Sequence, residues 1–348
     1  MQMTVPKKHG KRSYMNSKNS KPFHPSTLKP FPSSTLPPFH PSTLKPFPSS
    51  TLLPFHPSTL PPFHPFLLYL YPMSKHTFHA GSVPLGTDKL FLISGPCVIE
   101  SRDTMMRVAE ELAQIQQSLP LAGIIYKSSF QKDNRSSVDY YMGPGMDEGL
   151  KILQEVKEQF GFPLLTDIHY PDQVQAVAEV VDILQIPAYL CMQTTLVVEA
   201  AKTNRIINLK HGQFLAPENM AKVTAKVEST GNRHIVLTER GYTFGYNDLV
   251  VDPRAFYELK KTGYPVVFDA THSIRKYGIP SSDPTGGARQ YLETLTRAAV
   301  ATGIDGLFLE AHPCPSEALC DAASQLELTQ LKSFVERMLV IHDAAKSI

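Results

Sequence analysis

From Leu90 onward, short apolar runs of the sequence repeatedly end in side chains that can do chemistry. Thiol, imidazole and carboxylate groups are ligands that divalent metals take in proteins, while Lys and Arg bind phosphate and carboxylate groups. So many reactive groups in equivalent places indicate an enzyme that acts on small anions. They are Cys97, Lys127, Asp167, His169, Lys210, Arg240, His272 and Glu310.

One subset has the composition of a metal site. Cys97, His272, Glu310 and Asp321 offer one thiolate, one imidazole and two carboxylates, which suit a borderline divalent metal with open coordination positions. Their separation along the chain is too long for a motif. A buried apolar cysteine and a hydrogen-bonded core histidine are the alternative interpretations of Cys97 and His272. Metal binding is the favoured interpretation if the fold brings all four side chains close together.

A second subset is cationic and indicates polyanionic small substrates. Arg suits bidentate recognition of phosphate, and Lys acts as a point charge. Solvated surface charge is the ordinary interpretation of a single Lys. It fits Lys127 and Lys210 poorly, because both directly follow apolar runs. The cationic residues are Lys127, Lys132, Arg135, Lys210 and Arg240.

The elements that must position these residues alternate between strand-like and helix-like patterns, which implies parallel strands. Eight such units in about 250 residues predict an α/β fold, a (β/α)₈ TIM barrel whose active site lies at the carboxyl ends of its strands. A doubly wound open sheet is the alternative, but no GxGxxG turn follows the first run. The runs are LFLISGPC, GIIYKSSF, PLLTDIH, ILQIPAY, INLKHGQ, IVLTER, PVVFDATH and GLFLEAH, and the predicted helices span residues 102–117, 147–159, 172–181, 195–203, 217–229, 254–261, 288–301 and 326–342.

Residues 1–72 differ from the rest of the chain. They contain no Asp or Glu but 16 of the 30 Pro, and residues 24–39 and 40–55 differ at one position, Pro37 against Leu53. Frequent Pro blocks helices and strands, so we predict a disordered Pro-rich extension before a catalytic domain at 73–348. Translated upstream DNA ahead of a start at Met73 is an equivalent interpretation, and a Pro-rich arm that binds a partner is the alternative.

Charge and cysteine content exclude several classes of protein. Residues 73–348 carry 26 Lys and Arg against 32 Asp and Glu, so the globular part lacks the basic character of a nucleic-acid-binding protein. The apolar stretch at 66–71 is far shorter than the ~20 residues of a membrane span. The four cysteines lack the spacing of a disulfide scaffold, which predicts a cytoplasmic protein that binds neither nucleic acid nor membrane.

The order of several motifs resembles the 3-deoxy-D-manno-octulosonate 8-phosphate synthase family. The resemblance runs from about Leu90 to the end, and the block after the second strand separates it from 3-deoxy-D-arabino-heptulosonate 7-phosphate synthase. It implies condensation of phosphoenolpyruvate with D-arabinose 5-phosphate and water, for lipopolysaccharide inner-core synthesis, by a homotetramer. The alternatives are the heptulosonate synthase reaction and a non-catalytic scaffold. The motifs are GPCVIESRD, YKSSFQKDNRSS, GPGMDEGL, LLTDIH, LQIPAYLCMQT, INLKHGQFLAP, LTERGYTFGYNDLVVD, FDATHS and FLEAHP.

The resemblance also implies roles for single residues. Cysteine at position 97 marks the metal-dependent branch, with one divalent ion such as Fe, Zn or Mn per subunit on Cys97, His272, Glu310 and Asp321. Asp167 and His169 would line the reacting centre. Phosphoenolpyruvate would be held by Lys127, Lys132, Lys210 and Arg240 with Gln185 and Gln213 nearby, and arabinose 5-phosphate by Asn134, Arg135 and Ser136.

Four positions depart from the family pattern. Met192 replaces an Arg that reaches the aldose phosphate from a neighbouring subunit, and this change predicts weaker or altered binding of the aldose phosphate. Asp133 stands where Ala is usual, beside the residues expected to hold that phosphate. His211 replaces a common Lys, and Thr195 replaces a usual Asp.

Overall fold

The computed structural model describes residues 76–135, 137–243, 248–276, 278–280 and 283–346. The Pro-rich segment 1–72, Met73 and the predicted phosphate ligand Ser136 lie outside the described residues. The strands are β1 (Phe78–Ala80), β2 (Val83–Leu85), β3 (Phe91–Gly95), β4 (Gly123–Lys127), β5 (Leu164–Asp167), β6 (Ile183–Ile186), β7 (Ile206–Lys210), β8 (Ile235–Glu239), β9 (Val266–Asp269), β10 (Gly306–His312) and β11 (Leu326–Glu327).

Strands β3 to β10 form the predicted closed barrel of eight parallel strands. Each strand pairs with the next along the chain, and β10 closes the barrel by pairing with both β9 and β3. All eight strand-like runs of the sequence are therefore barrel strands. Because the strands are parallel, the residues that follow them meet at one rim.

Helices pack around the barrel where the sequence predicted them. Three begin later than expected because 3₁₀ turns come first, at Pro171–Gln173, Pro217–Asn219 and Arg289–Tyr291. None of the helices in the described part of the chain is both long and apolar enough to cross a membrane. The helices are α1 (Arg102–Ser118), α2 (Met146–Phe160), α3 (Val174–Val180), α4 (Thr194–Lys202), α5 (Met220–Glu228), α6 (Pro253–Lys260), α7 (Ala270–Ser273), α8 (Leu292–Ala301) and α9 (Leu328–Lys346).

The inward-facing side chains change from apolar to polar along the barrel strands. Side chains alternate between the two faces of a strand, so residues two apart face the same way. On β4 the buried core residue Ile125 is followed by Lys127, and on β5 Leu165 is followed by Asp167. The apolar layer consists of Phe91, Ile93, Ile125, Leu165, Ile183, Ile206, Val236, Val267 and Phe308.

An antiparallel hairpin of β1 and β2 covers the amino end of the barrel. Ala80, Val83 and Leu85 join the apolar layer. Gly123 begins β4 beneath the hairpin, where an added Cβ would lie 2.6 Å from Val83 Cγ2. This hairpin was not predicted, because two strands of three residues give no periodic signal in the sequence.

The short elements α7 and β11 were also missed, and both adjoin the rim. α7 follows β9 directly, with the Asp269 side chain accepting from the His272 N–H at 3.0 Å as its N-cap. β11 pairs with the last two residues of β10, Ala311 and His312. It was predicted as the first turn of the last helix, which instead begins at Leu328.

Candidate active site at the carboxyl ends of the strands

A cavity of about 200 Å³ opens at the carboxyl ends of the barrel strands. Cys97, Lys127 and Glu310 lie at the same rim with fully buried side chains. The structure therefore brings together every predicted site residue that it describes. Those lining the cavity are Lys132, Asn134, Arg135, Asp167, His169, Gln185, Lys210, Gln213, Arg240, His272 and Asp321.

The four predicted metal ligands form one cluster. One ligand atom from each of Cys97, His272, Glu310 and Asp321 lies within 4.8 Å of all the others. Glu310 Oε2 is buried and has no hydrogen-bond donor among the described residues. A thiolate, an imidazole and two carboxylates around such an oxygen fit a divalent transition metal.

Asp269 orients His272 for this role. Asp269 Oδ2 lies 2.8 Å from His272 Nδ1, on the far side of the imidazole ring. His272 Nε2 faces the cluster, 3.5 Å from Glu310 Oε2 and 3.5 Å from Asp321 Oδ2. A carboxylate on one ring nitrogen fixes the tautomer in which the other nitrogen is free to bind a metal.

Loop geometry places the remaining two candidate ligands, Asp321 and Cys97. Asp321 has a φ of +50°, in the left-handed region that few residues other than glycine adopt. The buried Gln325 accepts from the Cys97 N–H at 3.2 Å and donates to the Cys320 carbonyl at 2.8 Å. One side chain thus ties the loop after β3 to the loop that carries Asp321.

The ligands differ in their protonation. Burial raises the pKa of the Cys97 thiol well above its ordinary value, and the neighbouring Cys320 adds to this rise. Burial also acts to raise the pKa of Glu310, but the charges of His272 and Lys127 outweigh it and lower that pKa. The carboxylate is therefore ionised, whereas a metal must displace the proton of the thiol.

Three buried lysines at the rim each face a carboxylate. Burial lowers the pKa of Lys210, against the opposing charge of Asp269. Its ammonium group also lies 4.2 Å from the centre of the Phe308 ring. Buried ion pairs contribute little net stability, so their concentration here points to a function in binding. The pairs are Lys127 with Glu310, Lys132 with Asp167 at 3.3 Å, and Lys210 with Asp269 at 2.5 Å.

Asp167 and His169 both line the cavity. Burial acts to raise the pKa of Asp167, but Lys132 and Lys127 outweigh it and hold that pKa well below its usual range. Burial lowers the pKa of His169, whose Nδ1 atom has no hydrogen-bond partner among the described residues. The site thus combines an ionised carboxylate with a neutral imidazole.

The loop after β4 forms the mouth of the cavity. Asn134 is exposed, and Arg135 donates to Cys320 Sγ at 2.7 Å and to the Leu319 carbonyl at 3.1 Å. Asp133 accepts a hydrogen bond from the Tyr170 hydroxyl at the surface.

The other departures lie outside the cavity lining. Met192 is 37% exposed, so the prediction that it weakens aldose phosphate binding concerns a contact from another chain. Thr195 is exposed on α4. His211 is fully buried, with Nδ1 2.6 Å from Glu239 Oε2 and Nε2 2.7 Å from the Leu215 carbonyl, and this link joins the ends of β7 and β8.

Several site residues escaped the sequence analysis. Asp269 stands in the quoted motif FDATHS at the end of β9, where its position alone could have indicated it. Arg275 and Lys276 line the cavity from the segment after α7. Cys320 and Gln325 carry no signal in the sequence, because their importance comes from contact with Cys97 across the barrel rim.

The fold and the rim together define a class of protein, a (β/α)₈-barrel enzyme with a candidate metal cluster beside cationic, anion-binding groups. The model of the DAHP synthetase I family matches residues 72–346. The chain belongs to that family, and relatives named for the octulosonate 8-phosphate reaction confirm the resemblance drawn from the motifs.

Two named relatives align with most of the chain. A protein of Trichlorobacter lovleyi is 53% identical over 259 residues, which are 74% of this chain and 94% of the relative. One of Geobacter sulfurreducens is 49% identical over 267 residues, 76% of this chain and 97% of the relative. Both are named 2-dehydro-3-deoxyphosphooctonate aldolase, another name for the octulosonate 8-phosphate synthase that the motifs resemble.

Proposed function

We propose that this protein condenses phosphoenolpyruvate with D-arabinose 5-phosphate and water, giving 3-deoxy-D-manno-octulosonate 8-phosphate and phosphate. One observation carries the proposal: a single cavity is lined by two members of the four-residue cluster, His272 and Asp321, and by the cations Lys132, Arg135, Lys210 and Arg240. Two phosphorylated substrates repel each other in water. A rim of fixed positive charge brings them together and positions them for reaction.

Phosphoenolpyruvate takes the deeper part of the cavity in this proposal. Lys127, Lys132, Lys210 and Arg240 hold its carboxylate and phosphate, with Gln185 and Gln213 beside them. Each of the three lysines also faces a buried carboxylate, so no ammonium group at the rim is unpaired before the anion binds.

Arabinose 5-phosphate occupies the mouth. Asn134, Arg135 and Ser136 bind it there, with the guanidinium group of Arg135 and Ser136 on its phosphate. Carbon 3 of the enol then attacks the aldehyde carbon. Water adds at carbon 2, and phosphate leaves. Asp167 lines this reacting centre as a fixed negative charge, and the neutral His169 beside it can accept a proton.

Cys97, His272, Glu310 and Asp321 would hold one divalent ion such as Fe, Zn or Mn. A bound ion would supply a Lewis acid for a substrate oxygen. Asp269 holds the imidazole of His272 in the orientation that such an ion needs, through the contact at 2.8 Å between Asp269 Oδ2 and His272 Nδ1. Lys127 pairs with Oε1 of Glu310, the carboxylate oxygen that does not face His272.

The test is phosphate release from phosphoenolpyruvate with a panel of aldose phosphates, in chelator-treated and metal-restored protein. We expect activity with arabinose 5-phosphate, its loss on chelation and its return with a divalent ion. Cys97→Ala should remain inactive after metal is restored, whereas the control Cys314→Ala should recover. A preference for erythrose 4-phosphate would favour the heptulosonate synthase reaction, and full activity without metal would refute the metal assignment.

The remaining proposals concern the whole chain. We propose a cytoplasmic homotetramer that binds neither nucleic acid nor membrane, with residues 73–348 as its catalytic domain. In that assembly Met192 of one chain lies where an Arg would reach the aldose phosphate of another. Light scattering and sedimentation of the full chain test the tetramer directly.

Met192→Arg should lower the KM for arabinose 5-phosphate and leave the KM for phosphoenolpyruvate unchanged. A hydrogen bond to a charged group contributes ~1.5–3 kcal/mol, which is roughly tenfold to hundredfold in binding. Steady-state kinetics with each substrate varied in turn measures the effect, and Met192→Lys is the matched control for charge without the guanidinium fork. An unchanged aldose KM would show that this position does not face the phosphate.

A further inference from the structure

Two buried cysteines meet at the edge of the metal cluster. Cys97 Sγ lies 2.9 Å from Cys320 Sγ, although the two residues are far apart in sequence. Both side chains are almost fully buried, in a small cluster with Val98 and Tyr141. The other two cysteines make different contacts: Cys314 Sγ lies 3.3 Å from Ser316 Oγ, and Cys191 packs against Gly212.

The backbone holds the two sulfurs together. Gln325 accepts from the Cys97 N–H and donates to the Cys320 carbonyl, so its side chain bridges the two cysteine-bearing loops. β11 follows Gln325 directly and anchors the second loop to β10. A disulfide needs sulfurs about 2.0 Å apart, so a bond requires them to approach by roughly 1 Å. The loops are already in place for it.

Access is asymmetric between the two thiols. Cys320 lines the cavity, and Arg135 donates to its sulfur at 2.7 Å, whereas Cys97 lies behind it. A small oxidant that enters the cavity therefore meets Cys320 first. Cys97 is then the adjacent thiol that can complete the exchange.

We propose that Cys97 and Cys320 form a reversible disulfide on exposure to a peroxide, and that this bond withdraws Cys97 from metal binding. The Cys320 sulfur attacks a peroxide oxygen, giving a sulfenic acid and one water. The Cys97 sulfur then attacks the Cys320 sulfur, which forms the S–S bond and releases a second water. Two thiol hydrogens are lost, peroxide is reduced to water, and a dithiol reductant reverses the change.

Disulfide formation and metal binding exclude each other in this scheme, because both use the Cys97 sulfur. Disulfides in cytosolic proteins are usually transient and serve redox sensing or catalysis. The pair therefore makes the cluster a modification site as well as a metal site. A bound ion protects the pair from peroxide, and the oxidised pair prevents the ion from binding.

The experiment uses the full chain, reduced and stripped of metal, with hydrogen peroxide as the oxidant and Zn²⁺ as the probe. We expect intact mass to fall by two hydrogen atoms and a peptide map to show Cys97 linked to Cys320. Zn²⁺ bound per chain should fall toward zero and return after dithiothreitol. Prior loading with Zn²⁺ should slow the linkage severalfold. These measurements need no substrate, so their outcome does not depend on whether the proposed condensation is correct.

Two variants sharpen the result. Cys314→Ser should behave like the unchanged chain, with the same linked peptide. Cys320→Ser should form no link and should still bind Zn²⁺ after a dose of peroxide that abolishes binding in the unchanged chain. Oxidation of Cys97 or Cys320 without a link between them would overturn the proposal. The proposal would also be overturned if peroxide abolished Zn²⁺ binding in Cys320→Ser as fully as in the unchanged chain. If Cys320→Ser does not fold, the peptide map of the unchanged chain still shows whether Cys97 and Cys320 become linked.

Discussion

Asp269 connects the two kinds of chemistry at the rim. Its carboxylate lies 2.5 Å from Lys210 Nζ and 2.8 Å from His272 Nδ1, so it contacts both a proposed anion-binding group and a proposed metal ligand. Burial acts to raise the pKa of Asp269, but His272 and Lys210 outweigh it and hold that pKa far below its usual value. The side chain therefore stays ionised and keeps the imidazole in one orientation.

Asp269→Asn should weaken metal binding by about 10–100-fold, the usual effect of losing a partner of a metal-binding histidine. The amide cannot supply the negative charge that fixes the tautomer of His272. Competition with a chelator of known affinity measures the change. Asp252→Asn, at the N-cap of α6, is the control for the substitution, and an unaltered affinity in Asp269→Asn would contradict the role.

The pH dependence of stability follows from Asp167. Its pKa is lowered in the folded protein, so the unfolded chain takes up a proton first as the pH falls. The contribution of ionised Asp167 to the free energy of unfolding is fully present above the ordinary carboxyl pKa of about 4 and is lost progressively below it. Urea unfolding at a series of pH values should show this loss, and Asp167→Asn should flatten it. If stability fell with pH in the same way in both proteins, Asp167 would be excluded as a source of this pH dependence.

Residues at strand ends could be predicted from the sequence, and residues defined by a partner in space could not. Lys127, Lys210 and Glu310 follow apolar runs, so a closed barrel places them at one rim whatever its details. Gln325 and Cys320 matter through contacts with Cys97, whose partner lies more than 200 positions away. The pattern of residues in a short stretch of sequence contains no information on a contact between residues so far apart.

The strands also divide into those that the sequence predicts and those that it does not. The barrel strands combine apolar runs with a regular spacing, so their number and direction follow from the sequence. The β1–β2 hairpin is too short for that signal and is specified by the apolar layer that it covers. β11 looked helical because its two residues continue into α9, and only pairing with β10 makes it a strand.

Leu85→Ala tests whether the hairpin is part of the barrel core. Leu85 is fully buried against the apolar layer, so truncation should lower the free energy of unfolding by about 2–4 kcal/mol. Urea denaturation measures this change. Val340→Ala, at a side chain 71% exposed on α9, should change stability by less than about 0.5 kcal/mol. Equal effects of the two substitutions would show that the hairpin does not contribute to the core.

The fold and the candidate site occupy the same part of the chain. The family model matches residues 72–346, and the barrel begins after the hairpin within that range. A chain that starts at Met73 should therefore unfold at the same temperature and turn over at the same rate as the full chain. Thermal unfolding and kcat test this, and a large loss of either would assign a structural role to residues 1–72.

The left-handed backbone at Asp321 limits how this rim can evolve. Asp and Asn tolerate a positive φ better than other residues with a side chain, since their short polar groups can bond locally. A change to Glu would keep the negative charge but strain the main chain, and a change to Asn would keep the main chain but lose the charge. Selection thus acts on this codon through two independent requirements. At Glu310, in a regular strand, the backbone sets no such condition, so only the charge and the length of the side chain limit which residue can stand there.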